Sequence, residues 1–112
     1  MKLFKYLLFL FIFLFPSITI PQTVFRSLTL LWDYSGSDHD GFELTRKVGL
    51  TGTYEIINST IPPTALTVVD SQVPQGQLVC YTLYATLISF RSDPSNEACG
   101  IALLVPTRVR IK

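Results

Sequence analysis

Residues 76–100, GQLVCYTLYATLISFRSDPSNEACG, constrain the fold of this chain more than any other stretch. Val79, Tyr81, Leu83 and Ala85 alternate with Cys80, Thr82 and Tyr84. A period of two puts each set on its own face of an extended strand, with the apolar set inward. A polar elbow of Ser, Asp and Pro follows, then Cys99. Cys80 and Cys99 are the only cysteines, and a hairpin through the elbow could bring them opposite each other.

The same alternation recurs upstream. Residues 27–34, SLTLLWDY, put Leu28, Leu30 and Trp32 on one face, with Thr29, Leu31 and Asp33 on the other. Trp32, the single tryptophan, is expected at the centre of the core, where its indole N–H needs a partner. Residues 41–47, GFELTRK, alternate with Phe42 and Leu44 inward. Short strands are also expected over residues 53–57 and 64–70, and a weak first edge strand over residues 23–25. Residues 71–77 form a turn-rich link plugged by Val73, and Pro62-Pro63 closes the segment before it. Six or seven short strands separated by turn signals, with no helical period after the first twenty residues, specify an antiparallel β-sandwich. The predicted core is Leu28, Leu30, Trp32, Phe42, Leu44, Val79, Tyr81, Leu83 and Ala85.

Lys2 and Lys5 precede an unbroken apolar run from Tyr6 to Phe15, which stops at Pro16. A basic start, a short apolar core and a proline break are the parts of a secretory signal peptide. A transmembrane helix needs about 20 apolar residues, and Pro16, Ser17 and Thr19 interrupt this run first. No Ala-x-Ala cleavage site is present, so residues 1–20 read as a signal peptide or, alternatively, as an uncleaved N-terminal membrane anchor. Either reading exports the domain, to the periplasm, the cell surface or the medium. There a disulfide can form and persist. Residues 21–105 are the domain, and residues 106–112 a basic C-terminal tail.

Nine basic residues face eight acidic ones over the 112 residues. Five of the basic ones lie in the leader (Lys2, Lys5) and the tail (Arg108, Arg110, Lys112). Residues 22–107 therefore hold four basic and eight acidic residues, a net charge of −4. That is the wrong sign for a nucleic-acid face. A chain of this size buries roughly 60–65% of its unfolded surface, so a crosslink has a large effect on its stability.

The loop at residues 35–41, SGSDHDG, carries the only histidine, His39, between Asp38 and Asp40. Two carboxylates and an imidazole could hold a metal ion or a polar ligand. Neighbours in one loop rarely converge on an ion without help from elsewhere, so a solvated turn is the preferred reading and no cofactor is expected. Asn58-Ser59-Thr60 is a glycosylation sequon of a kind that is common by chance. The loop at residues 87–94 carries Phe90 beside Arg91, a pairing favoured at interfaces. Phe90 either presents a contact surface or folds back over the end of the sandwich.

The order of these segments resembles a fibronectin type III domain, of the compact kind found in exported bacterial and phage proteins. SLTLLWDY matches strand B with its core Trp32, and DGFELTRK matches strand C. Residues 67–73 with Gly76 resemble strand E and the link to strand F. CYTLYA resembles strand F, and SDPSNEACG the run into strand G. The likeness covers roughly residues 23–103 and implies an immunoglobulin-like sandwich with F and G as antiparallel neighbours. Cys80 and Cys99 would then form a cross-strand bridge on the outer face of their sheet. The family usually carries a tyrosine where this chain has Val79, so another contact must hold that corner, and the bridge is the expected substitute.

Domains of this family are mostly adhesion, receptor or spacer units. The implied function is a non-catalytic exported module binding a protein or surface ligand, with Asp38, His39, Asp40, Phe90 and Arg91 as candidate contacts. No Arg-Gly-Asp triplet occurs. A membrane-anchored structural subunit of an envelope or virion assembly is the alternative. A small metal-dependent enzyme is disfavoured, because the single histidine sits in an acidic loop with no reactive thiol to serve and no cleft-forming insertion is evident.

Overall fold

The computed structural model describes residues 22–104, 106 and 108–111, so the apolar leader lies outside the described residues. The strands are β1 (Phe25–Leu31), β2 (Gly41–Val48), β3 (Glu55–Ile61), β4 (Thr67–Pro74), β5 (Leu78–Leu87), β6 (Phe90–Arg91) and β7 (Ala98–Ile101). No helix occurs among the described residues. β1 and β4 form one antiparallel sheet. The other runs β3-β2-β5, with β6 and β7 both on the far edge of β5. The chain is the all-β antiparallel sandwich that the alternation predicts.

β5 organises the larger sheet. It pairs with β2 without interruption from Gly41↔Thr86 to Val48↔Val79. Its inward row meets Phe42 and Leu44 of β2, Ile61 of β3, Val73 of β4 and Ala102 after β7. Leu28, Leu30, Trp32, Leu83 and Ala85 are partly buried and pack around this centre. On the opposite face of β5, Cys80 is the register partner of Cys99 in β7. The two are joined by a disulfide with a Cα–Cα distance of 4.0 Å.

Several boundaries differ from the sequence reading. Residues 23–25 form no separate edge strand, and β1 begins at Phe25 and ends at Leu31. Trp32 lies just past the strand, half-buried, with its ring edge-on to Phe42 at 5.4 Å rather than at the centre of the core. Its indole N–H is buried with no partner among the described residues. β3 runs on through the sequon to Ile61, where Asn58 Oδ1 accepts bonds from the Thr60 N–H and hydroxyl. β4 is shifted toward the C-terminus, so Val73 is a fully buried strand residue and not a plug in a link. Alternation alone does not resolve such shifts, because a strand and an extended link have the same period.

A tyrosine of β5 ties the two sheets together. Val79 is fully buried, and two residues on the Tyr81 hydroxyl donates to Asp70 Oδ2 in β4 at 2.7 Å. Arg46 of β2 donates to the same oxygen at 2.8 Å, and the Gln72 N–H donates to Oδ1 at 3.0 Å. The bonds from Tyr81 and Arg46 join the two sheets across the core, and the Gln72 bond is local to β4. Burial by itself would raise the Asp70 pKa, but the bonds from Tyr81, Arg46 and Gln72 outweigh it and hold the carboxyl below its ordinary value. Burial, reinforced by the negative partner, pushes the Tyr81 phenol well up.

Candidate functional site

The two loops singled out in the sequence meet at one end of the sandwich, and Asp40 joins them. Its N–H donates to the Thr86 carbonyl at 2.8 Å, so the loop after β1 attaches to β5 before β2 begins. Asp40 Oδ1 accepts from the Thr86 hydroxyl at 3.1 Å, and Oδ2 accepts from the Ile88 N–H at 2.6 Å. Asp40 therefore holds the β5–β6 turn in place. Gly41 follows because the backbone of β3 leaves no room there: a Cβ would sit 2.8 Å from the Ile61 carbonyl oxygen.

His39 is packed rather than solvated. Its Nε2–H donates to the Pro63 carbonyl at 2.7 Å, and its ring lies against Tyr34 at 4.6 Å and Phe42 at 4.9 Å. The other ring nitrogen, Nδ1, is buried and without a partner among the described residues. Asp38 stays exposed. With Asp40 and Nε2 engaged elsewhere, the three side chains do not converge on a common point. Among the described residues, the only three potential metal ligands within 4.8 Å of one another are Cys80, Glu97 and Cys99, and both sulfurs are bonded in the disulfide.

Residues 87–91, expected as a loop, form a tight hairpin in which Leu87 pairs with Phe90 and Thr86 with Arg91. Its two-residue turn has a positive φ of 58° at Ile88, alone among the described non-glycine residues. That sign pattern belongs to a type II′ turn, whose first position ordinarily takes glycine. The Ile88-Ser89 dipeptide is not a turn signal, so the hairpin is not readable from the sequence. Ile88 is 84% exposed and Phe90 75% exposed, so Phe90 does not fold back over the end of the sandwich. Arg91 behaves differently from its neighbour. It pairs with Glu43 at 2.9 Å and lies over the Tyr84 ring at 4.1 Å, on the outer face of the sheet.

Below the hairpin a hollow of about 200 Å³ is lined by Tyr34, Asp38, His39, Leu87 and Phe90, among others. A larger groove of about 480 Å³ shares Tyr34, Ala85 and Ser92 with it and runs along the side between β1 and residues 92–96. The floor of that groove is core: Trp32, Phe42, Leu44 and Tyr81. Its wall at 92–96 is held by serines standing in for a strand. Ser92 Oγ accepts from the Ala85 N–H at 3.0 Å, and Ser95 Oγ from the Leu83 N–H at 2.9 Å.

The outer face near the disulfide carries a second polar cluster. Glu97 pairs with Lys47 at 3.2 Å and accepts a hydrogen bond from the Tyr54 hydroxyl. Bonds from Tyr54 and Lys47 hold Glu97 below the ordinary carboxylate range. Desolvation, together with Glu97, pushes the Tyr54 phenol up to about 12.

The site thus sets two exposed apolar side chains, Ile88 and Phe90, on a hairpin anchored by Asp40 beside a shallow hollow. That arrangement suits contact with another surface. No protein-family model matches the chain, and no match was found among the curated proteins.

Proposed function

We propose that this protein is a non-catalytic exported binding module of fibronectin type III-like architecture, which contacts a protein or surface ligand through the β5–β6 hairpin. The strand pairing of β1 with β4 and of β3-β2-β5-β7 supports that architecture, as does the Tyr81–Asp70 tie between the sheets. The disulfide supports an oxidising compartment.

One observation carries the binding role. The hairpin tip holds a β-branched apolar residue, Ile88, in the left-handed region and exposes it beside Phe90. Folding stability favours glycine at such a position, so the strained isoleucine points to a function for its side chain. The three anchoring bonds of Asp40 fix the tip in advance and lower the entropy lost on binding.

The test is binding of the labelled, disulfide-bonded protein to intact cells and extracellular matrix of the producing organism, comparing wild type with Ile88→Ser/Phe90→Ala. Loss of two central apolar contacts should weaken binding at least about tenfold at unchanged fold. Equal binding by both proteins would refute the assignment. The alternative, a membrane-anchored subunit of an envelope or virion assembly, draws support from the unpaired edge of β1, and N-terminal sequencing of the exported protein separates an anchored chain from a cleaved one.

A further inference from the structure

The two-stranded sheet is incomplete. β1 pairs with β4 on one side, and its other edge has no partner strand among the described residues. A sheet of two strands is marginal, and natural edge strands are usually blunted by charge, proline or a cover. This edge has none of these on its outward residues, and the one irregularity is a shift of the β1–β4 register between Arg26 and Leu28, across which the parity of β1 is kept. The Trp32 N–H donates to Leu66 O and the Val24 carbonyl accepts from the Gln75 N–H, so even-numbered residues turn their backbone groups toward β4. In an antiparallel ladder the odd-numbered ones, Phe25, Ser27, Thr29 and Leu31, then turn theirs outward. Their side chains are also on the outer face, where Phe25 is 50% and Leu31 79% exposed.

We propose that β1 pairs antiparallel with β1 of a second copy across a two-fold axis at Leu28, giving a continuous β4-β1-β1-β4 sheet. The sequence of the edge is self-complementary in this register. Phe25 falls opposite Leu31 of the other copy, and Ser27 opposite Thr29. All four outward residues therefore meet as hydrogen-bonded pairs, with the apolar pairs at the ends and the hydroxyl pairs between them. Any shift by two residues leaves Phe25 or Leu31 without its apolar partner.

Two further observations fit the same occupant. Beyond Leu31 this register brings residues 22–24 of the second copy alongside Trp32 and the mouth of the side groove, where exposed Val24 can cover the apolar floor. Charge also favours this edge. Residues 22–107 hold eight acidic side chains against four basic ones, yet residues 22–32 contain no acidic residue and one arginine, so like charges do not face each other here. Edge pairing covers the β1 backbone and part of Val24, Phe25 and Leu31, less than the roughly 1,200–2,000 Å² of a stable interface. The dimer is accordingly weak and concentration-dependent.

Sedimentation velocity on the exported, disulfide-bonded protein over about 1–300 µM, together with amide exchange, tests this. Wild type should shift from monomer to dimer across the range, and the Phe25, Ser27, Thr29 and Leu31 amides should gain protection with it. Leu31→Lys, at an exposed position, and Thr29→Pro, which removes only an outward N–H, should each shift the midpoint at least tenfold toward monomer while leaving the thermal midpoint of the monomer within a few degrees. A monomer at every concentration overturns the proposal. So does a dimer indifferent to both variants, and so does protection of the β1 edge that is independent of concentration, which would place a segment of the same chain there. The hairpin variants of the binding test leave this edge intact, so the two readings fail separately.

Discussion

Replacing Tyr81 by Phe removes one hydroxyl from the only described bond network that ties β5 to β4 through a buried carboxylate. Asp70 is 7% exposed, and its Oδ2 accepts from Tyr81 at 2.7 Å and from Arg46 at 2.8 Å. A hydrogen bond to a charged group contributes about 1.5–3 kcal/mol. Arg46 remains in the variant, so a loss of about 2 kcal/mol is expected. For a domain of this size that lowers the thermal midpoint by on the order of 8–16 °C. Asp70→Asn supplies the pH control. The Asp70 pKa is lowered on folding, so its ionised form contributes stability above the unfolded value of about 3.9. That contribution is lost as pH falls through the folded value. Urea titrations of wild type, Tyr81→Phe and Asp70→Asn between about pH 2.5 and pH 7 should show the gap between wild type and Asp70→Asn closing below about pH 4. A Tyr81→Phe variant within about 0.5 kcal/mol of wild type, or a gap that stays constant down to acid pH, would refute the reasoning.

Reduction, or Cys80→Ser/Cys99→Ser, opens a loop with a sequence separation of 19 and should lower stability by about 3 kcal/mol in the loop-entropy account, read as a lower denaturation midpoint with a steeper slope, because the uncrosslinked unfolded chain exposes more surface. An unchanged midpoint would mean that the bridge does not restrain the chain. Ile88→Gly relieves the positive φ at the hairpin tip and should raise stability by about 0.5–1 kcal/mol in the same urea assay, while weakening binding to the ligand surface. A destabilised variant would show that the isoleucine side chain has a packing role.

The alternation within residues 79–85 was sufficient to predict the core face of β5, because side chains of a strand take opposite faces without exception. The residues it named there, Val79 and Tyr81, are buried, and Leu83 and Ala85 pack beside them. The same rule selected Phe42 and Leu44 in β2. It failed at Val73 and Ile61, which sit in segments rich in Pro, Gln, Ser and Thr. Their burial comes from the opposing sheet and not from local pattern. The candidate site was legible only as two loops. Asp38, His39, Asp40 and Phe90 do gather at one end of the sandwich, but Asp40 and His39 act as fasteners and Arg91 is paired with Glu43 on the outer face. Ile88, the residue that most marks the site, was missed, because a positive φ at a β-branched residue has no sequence signature.

What the sequence determined by itself was local and periodic. Alternation specified strands, punctuating Pro, Gly and Asp residues specified their breaks, and the cysteine spacing allowed a bridge across a hairpin. Tertiary structure decided everything that depends on which strands are neighbours: the tie from Tyr81 to Asp70, the docking of the Asp40 loop on β5, and the edge of β1 that no described strand covers. The reason is physical. A residue's face is set by its own backbone, whereas partners such as Asp70 for Tyr81 and Ile88 for Asp40 lie 11 and 48 residues away and come close only when the chain folds.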